Sequence, residues 1–301
     1  MTKKFIAGSI LALAGIFNAV AEDTGKIFGT LDGELVSTMT GKIVKIDSNG
    51  KTTWEHKTIN CHDIWQLDNG NILFADNTVY EINPTTDEVV FTYEPKIRKG
   101  LGGLSCQRLK NGNTVIGENS TGRILEVDAT GKIVFELQIE PYKLEDHHNL
   151  RMVRKLENGN YLACVSSIKA VREYTPAGKI VFEVIAKNLG FSAVRLPNGN
   201  TMIGDIDNVT EYDAKGAPVW TLEKSDLPDV KIGMICGVNV LPNGNLILGI
   251  YTADMSDEGA GAIEITKDKQ VVWRYVNGNT KKTSMMSVQK TKCGNAVSNL
   301  R

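Results

Sequence analysis

The chain has 301 residues, 42% of them hydrophobic and 23% charged, with a formal net charge of −1. No Lys/Arg run exceeds a pair or so, which excludes a basic nucleic-acid-binding surface as the organising feature. After residue 21 no segment approaches the ~18 uninterrupted apolar residues of a membrane span.

The N-terminus reads as a secretory signal. Lys3-Lys4 precede a short apolar stretch from Phe5 to Phe17, and Ala19-Val20-Ala21 is an A-x-A cleavage pattern. The expected division is therefore a signal peptide over 1–21 and one domain over 22–301, secreted or periplasmic. Five cysteines (Cys61, Cys106, Cys164, Cys236 and Cys293) all lie in the mature part, and none forms a C-x-x-C pair. An odd number leaves at least one free thiol. Their spacing within apolar runs suits small buried strand residues.

From there the chain repeats. Leu67-Asp68-Asn69-Gly70-Asn71 returns as Leu109-Lys110-Asn111-Gly112-Asn113, Leu156-Glu157-Asn158-Gly159-Asn160, Leu196-Pro197-Asn198-Gly199-Asn200 and Leu241-Pro242-Asn243-Gly244-Asn245. Asn-Gly between apolar runs predicts a hairpin, and the expected turn is the two-residue type I′, with φ > 0 at both residues. Around each turn lie short runs rich in β-branched and aromatic residues. In the second unit they are His62–Leu67, Ile72–Asp76, Val79–Asn83 and Val89–Tyr93. Hairpin glycines at 33, 70, 112, 159, 199, 244 and 294 are 37, 42, 47, 40, 45 and 50 positions apart. A period of roughly 40–50 residues with four strands per unit is the signature of a β-propeller. The last apolar run, Ser284–Gln289, has no third or fourth strand after it, while the first unit lacks a good first strand. Joining the two predicts an all-β propeller of six four-stranded antiparallel blades, closed by pairing of its N- and C-terminal strands. Seven blades is the alternative, because seven hairpin glycines can be counted.

The phrase L-P-N-G-N, a strand, then E-I/V-D and G-K-V-V-W-x-Y resembles the repeat of arylsulfotransferase-like and quinoprotein-like (PQQ-type) propellers of exported bacterial proteins. The resemblance implies a propeller over essentially the whole mature chain. In the arylsulfotransferase-like group it implies a histidine helped by arginine; His62 or His148 with Arg151 would match by residue type. The adjacent-cysteine pair, stacking tryptophan and calcium site of quinoprotein dehydrogenases have no recognisable counterpart here, so no cofactor is assigned.

Measured from each hairpin glycine, the repeat becomes a ruler. Eight places back stand His62, Leu104, Arg151, Phe191, Cys236 and Met286, at the start of each inner strand. Five places back stand Trp65, Gln107, Arg154, Val194, Asn239 and Gln289; six places forward stand Asp76, Glu118, Val165, Asp205 and Ile250. Because the hairpin repeat demands none of these polar residues, blade-to-blade variation there marks candidate function. His147 and His148, in Glu145–Arg151, form the most unusual local sequence. If the strand starts open on one face, three imidazoles would converge with Asp76, Glu118, Arg151 and Arg154. Imidazole titrates near neutrality and is a common metal ligand. Trp65 is a candidate stacking platform for a sugar. Asp254–Gly259 lacks calcium-loop spacing, the glycines at 100, 102 and 103 lack a phosphate-loop context, and no residue set is assigned to a metal.

The functional expectation is an exported binding module recognising a glycan, another polar small molecule or a protein partner at one mouth of the channel. Trp65, Gln107, Arg154, Asn239, His147, Asp76 and Glu118 are its candidate ligand-binding residues. The alternatives are an enzyme (lyase, hydrolase or sulfotransferase-like) using His62 and His148 as acid and base with Arg151 as a clamp, and a purely protein-interacting scaffold.

Overall fold

In the computed structural model, residues 24–96 and 105–292 are described, with 295–296 described as backbone. The expected signal peptide over 1–21, the glycines at 100, 102 and 103, Leu104 and Cys293 lie outside the described residues. Six four-stranded antiparallel blades form a propeller. Blades 2 to 5 follow chain order, as in blade 2: Asp63–Gln66, Ile72–Asp76, Thr78–Ile82 and Val89–Tyr93.

Closure uses both ends. The C-terminal strand Val288–Lys292 is the inner strand of blade 1 and pairs antiparallel with Glu34–Met39, Thr291 opposite Glu34. The first unit and the last apolar run therefore build one blade, which is why seven hairpin marks make six blades. The N-terminal strand Lys26–Gly29 adds a second closure, pairing with the outer strand Val271–Val276 of blade 6. Two interlocked ends leave neither blade 1 nor blade 6 free to peel away from the ring.

The repeated turn differs from the expected type I′. Leu67 pairs with Asn71, the Gly70 N–H donates to Leu67 O at 2.9 Å, and Gly70 alone has positive φ, +84°. The loop is thus a three-residue type I turn followed by a left-handed glycine. The asparagine causes the change: Asn69 Oδ1 accepts the Asn71 N–H at 3.0 Å, an arrangement that holds Asn69 at negative φ.

The second asparagine of the phrase has its own task. Asn71, Asn160, Asn200 and Asn245 donate to Glu81, Glu173, Glu211 and Glu264 on the third strands, at 2.6–2.8 Å. These buried glutamates, with Glu126, also face a cation. Glu81 pairs with Arg108, Glu126 with Lys155 and Glu173 with Arg195, each cation from the next blade. Beside each glutamate the third and fourth strands slip register by a β-bulge. Apolar side chains fill the spaces between blades: Leu73, Phe91 and Tyr93 of blade 2 pack with Cys106, Ile116 and Leu125 of blade 3. Cys61, Cys106, Cys164 and Cys236 are buried free thiols. Among the described residues no helix is long and apolar enough to cross a membrane.

Candidate functional site

Inner strands start at one mouth of the channel and run toward the hairpins. The residues eight places before each hairpin glycine occupy equivalent positions. The N–H groups of His62, Arg151 and Phe191 donate to Ala75, Cys164 and Gly204 of their own second strands, at 2.8–3.1 Å. His62, Arg151, Phe191, Cys236 and Met286 all line one cavity of about 300 Å³. Leu104, the sixth of the set, lies outside the described residues. The cavity continues inward into a narrower space of about 50 Å³ that ends against Asp63, Arg154 and Asn239.

The loop before blade 4 brings His147 and His148 to the same cavity. Its shape is fixed by Asn149, whose side-chain amide donates to Asn119 O at 2.9 Å and Lys143 O at 2.6 Å. Asp146 Oδ1 accepts the His148 backbone N–H at 2.8 Å and lies 3.2 Å from its Nδ1. The two imidazole rings stand 3.8 Å apart at 42°. Tyr251, Leu189 and Met234 complete a mouth that combines cationic, polar and apolar side chains.

Arg151 dominates the electrostatics. Among the described residues no carboxylate lies within ion-pair distance of it, and its buried Nε has no hydrogen-bond partner. Its guanidinium sits over the Phe191 ring at 5.1 Å, and burial lowers its pKa. His62 is driven down to about 3, first by burial, then by the charge of Arg151 and by His147. It is a neutral imidazole at any ordinary pH, with Nε2 3.1 Å from Asn60 Oδ1. His147 is lowered by burial, Arg151 and His148, against the pull of Asp146. The mouth thus sets a positive guanidinium beside the neutral imidazole of His62. Burial also pushes the Cys236 thiol up to about 12, so it lines the cavity as an apolar group.

Of the expected site residues, His62, His147, His148 and Arg151 come together. The others are placed elsewhere or are engaged in holding the ring. Both terminal nitrogens of Arg154 bond to Asp63, at 2.8 and 3.1 Å, and its guanidinium covers Trp65 at 4.9 Å. Trp65 donates its indole N–H to Cys106 O of the next blade at 2.5 Å. Gln107 Oε1 accepts the Lys155 N–H at 2.8 Å, and Asn239 Nδ2 donates to Val288 O at 2.6 Å, each reaching the following blade. Asp76 accepts the N–H groups of Ile59 and Asn60, and Glu118 pairs with Arg123 and Tyr93.

Asp63, Phe191, Cys236 and Met286 were not among the candidates. The last three fall on the same ruler as His62, but a search for polar residues passes over an apolar wall. Asp63 carries no hairpin-motif signal; its equivalents are Ser105, Met152, Ser192, Gly237 and Ser287. Ser105 and Ser287 do the same work, accepting the N–H of Val153 and of Ile64 from the next blade.

No protein-family model matches the chain, and no curated protein sequence matches it. Solved structures do. A protein of unknown function from Bacteroides caccae aligns at 20% identity and a TM-score of 0.71, covering 86% of this chain and 98% of that one. A streptogramin B lyase aligns at 14% identity and a TM-score of 0.57, over 85% of this chain and 84% of that one. A catalytically inactive histidine-to-alanine variant of virginiamycin B lyase from Staphylococcus aureus, with quinupristin, aligns at 12% identity and a TM-score of 0.56, over 83% and 88%. These likenesses concern the fold, and with them the chain is placed among the β-propellers.

Proposed function

We propose that this propeller binds a small amphipathic anion, a carboxylate on an aryl or alkyl body, at the mouth lined by His62, Arg151 and Phe191. The observation behind this reading is the unpaired guanidinium of Arg151. Buried cations are normally matched by a carboxylate, because desolvation without a partner is costly. Here no described residue supplies one, while Phe191, Met286 and Leu189 offer an apolar wall beside the charge. A carboxylate would receive charge-assisted bonds from Arg151 and hydrogen bonds from the histidines, and its body would lie on the apolar wall. This keeps the binding-module expectation and narrows it from glycans and proteins to small anions.

A second reading is favoured by one observation, the enforced neutrality of His62. A neutral imidazole beside a cation can take a proton from a carbon next to a carbonyl held by the guanidinium. The enolate charge would face Arg151, and the proton taken by His62 would pass to the leaving group as the carbon–heteroatom bond breaks. That is lyase chemistry, the activity named for two of the structural relatives. The resemblance to arylsulfotransferase-like and quinoprotein-like propellers and the N-terminal export signal extend the proposal to a periplasmic or secreted setting.

Calorimetric titration with phenylacetate and hexanoate, against phenylacetamide and hexanamide, tests the binding reading. Hydrogen bonds to a charged group contribute about 1.5–3 kcal/mol, so Arg151→Gln should weaken carboxylate binding by roughly 10- to 150-fold. Its melting temperature should not fall, since no ion pair is lost. Equal affinity for acids and amides, or an Arg151→Gln variant that binds as well as the parent, would overturn the reading.

A further inference from the structure

We propose that Asp146, His147 and His148 form a binding site for a divalent transition cation of the zinc and cobalt(II) class, at the rim of the same mouth. Each residue offers one ligand atom, and the three atoms all lie within 4.8 Å of one another. Three points no more than 4.8 Å apart share a centre within about 2.8 Å of each. Bonds from zinc to imidazole nitrogen or carboxylate oxygen are about 2.0–2.2 Å. A side-chain shift of under roughly 1 Å per donor therefore brings all three to bonding distance. The backbone is ready for it. Asn149 pins the loop to Asn119 and Lys143, and the Ser167 N–H holds His148 O at 2.8 Å. The three donors need only rotate about their own side-chain bonds.

Donor chemistry selects the cation. Two imidazoles and one carboxylate suit zinc, cobalt or nickel, whereas magnesium and calcium take oxygen ligands almost exclusively. Three protein ligands leave a fourth position free, as in open zinc sites, and His147 and His148 line the mouth cavity.

Arg151 lines the same cavity and has no ion pair among the described residues. A lone cation there would be repelled by the guanidinium. An anion bridging the two would be held by both, so metal and anion should each tighten binding of the other by the same factor. The cation site goes beyond the anion reading and stands without it, since the three donors are present whether or not an anion binds.

The test uses the full-length mature protein, stripped with a chelator and then titrated with Co²⁺ while visible d–d absorption is followed, and with Zn²⁺ by calorimetry. The expected result is one equivalent bound, no response to Mg²⁺, and at least a tenfold loss of affinity in His147→Ala and in His148→Ala. His147 is exposed, so its replacement leaves the fold intact, which a melting curve verifies. His62→Ala should keep the affinity within about threefold. Arg151→Gln should keep or raise metal affinity while abolishing the response to phenylacetate, so the cation site and the anion site can fail separately. Absence of saturable Zn²⁺ or Co²⁺ binding, or binding that survives both histidine substitutions, overturns the proposal.

Discussion

Asp63→Ala should be among the most destabilising single substitutions in this protein, and the structure explains why. Asp63 and Arg154 are each 6% exposed in their side chains, and two bonds join them across the inner end of the mouth cavity. Asp63 also accepts from the Cys106 N–H at 3.1 Å and the Ser287 hydroxyl at 3.3 Å, so one carboxylate ties blade 2 to blades 1, 3 and 4. Removing one partner of a buried pair typically costs about 3–5 kcal/mol, because the other charge is left desolvated. At roughly 2–4 °C per kcal/mol for a domain approaching this size, the melting temperature should drop by about 6–20 °C. The pair is not symmetric. Without Arg154, Asp63 keeps the Cys106, Ile64 and Ser287 donors; without Asp63, the Arg154 side chain keeps only the carbonyl of Val153 and the face of Trp65. Arg154→Met should therefore cost less than Asp63→Ala, and the double variant should recover much of the single loss. Urea denaturation of the four proteins of the cycle, followed by circular dichroism, gives the coupling energy. A loss below about 1 kcal/mol in Asp63→Ala, or a double variant whose loss is the plain sum of the singles, would refute this account of the hub.

Stability should also decline in acid because of His62. Its folded pKa, about 3, lies below its ordinary 6.5, so the unfolded chain binds more protons and stability falls as pH drops through that window. His147 adds in the same direction. The slope contributed by His62 is at most about 1.4 kcal/mol per pH unit, and less because water reaches the ring. Urea midpoints between pH 7 and 4 should slope less in His62→Gln, and equal slopes would count against the assignment. At the hairpins, Gly199 has φ +86° with nothing within 4 Å of where a Cβ would lie, so the penalty there is conformational alone. Gly199→Ala should cost about 1–2 kcal/mol and Gly199→Asn clearly less, read as shifts in melting temperature.

The architecture was legible because a propeller repeats what it needs. Each Leu-x-Asn-Gly-Asn sets a turn, seats a glutamate and helps fix a blade, and five of the six blades carry it. The turn type was not legible. Asn-Gly alone favours type I′, and only the side-chain bond from the first asparagine to the second shifts the loop to three residues. The second closure by Lys26–Gly29 was hidden too, since an edge strand pairing with a distant blade leaves no local pattern. At the site, counting from the glycine put His62 and Arg151 on one ring, and their neighbours Phe191, Cys236 and Met286 with them. Polarity was the weaker guide. Gln107, Asn239 and Asp76 are polar because inner strands must be joined to the next blade and loops closed, and a sequence cannot tell that need from ligand binding.

Two arginines three residues apart make the distinction concrete. Arg151 and Arg154 flank Met152 and Val153 at the start of the same inner strand, and both line the narrow end of the cavity. Arg154 meets Asp63 with two bonds and covers Trp65; its charge is answered within the fold. Among the described residues Arg151 meets the face of Phe191 and the imidazoles of the mouth, with Asp146 acting on it beyond ion-pair distance. Elsewhere along the inner strands the fold matches cations as a rule: Arg108, Lys155, Arg195 and Lys290 each pair with a third-strand glutamate of the blade before. The Arg151 guanidinium, with no ion pair among the described residues, leaves its electrostatic demand unmet beside the loop of Asp146, His147 and His148. An anion from outside is the simplest group that would meet it.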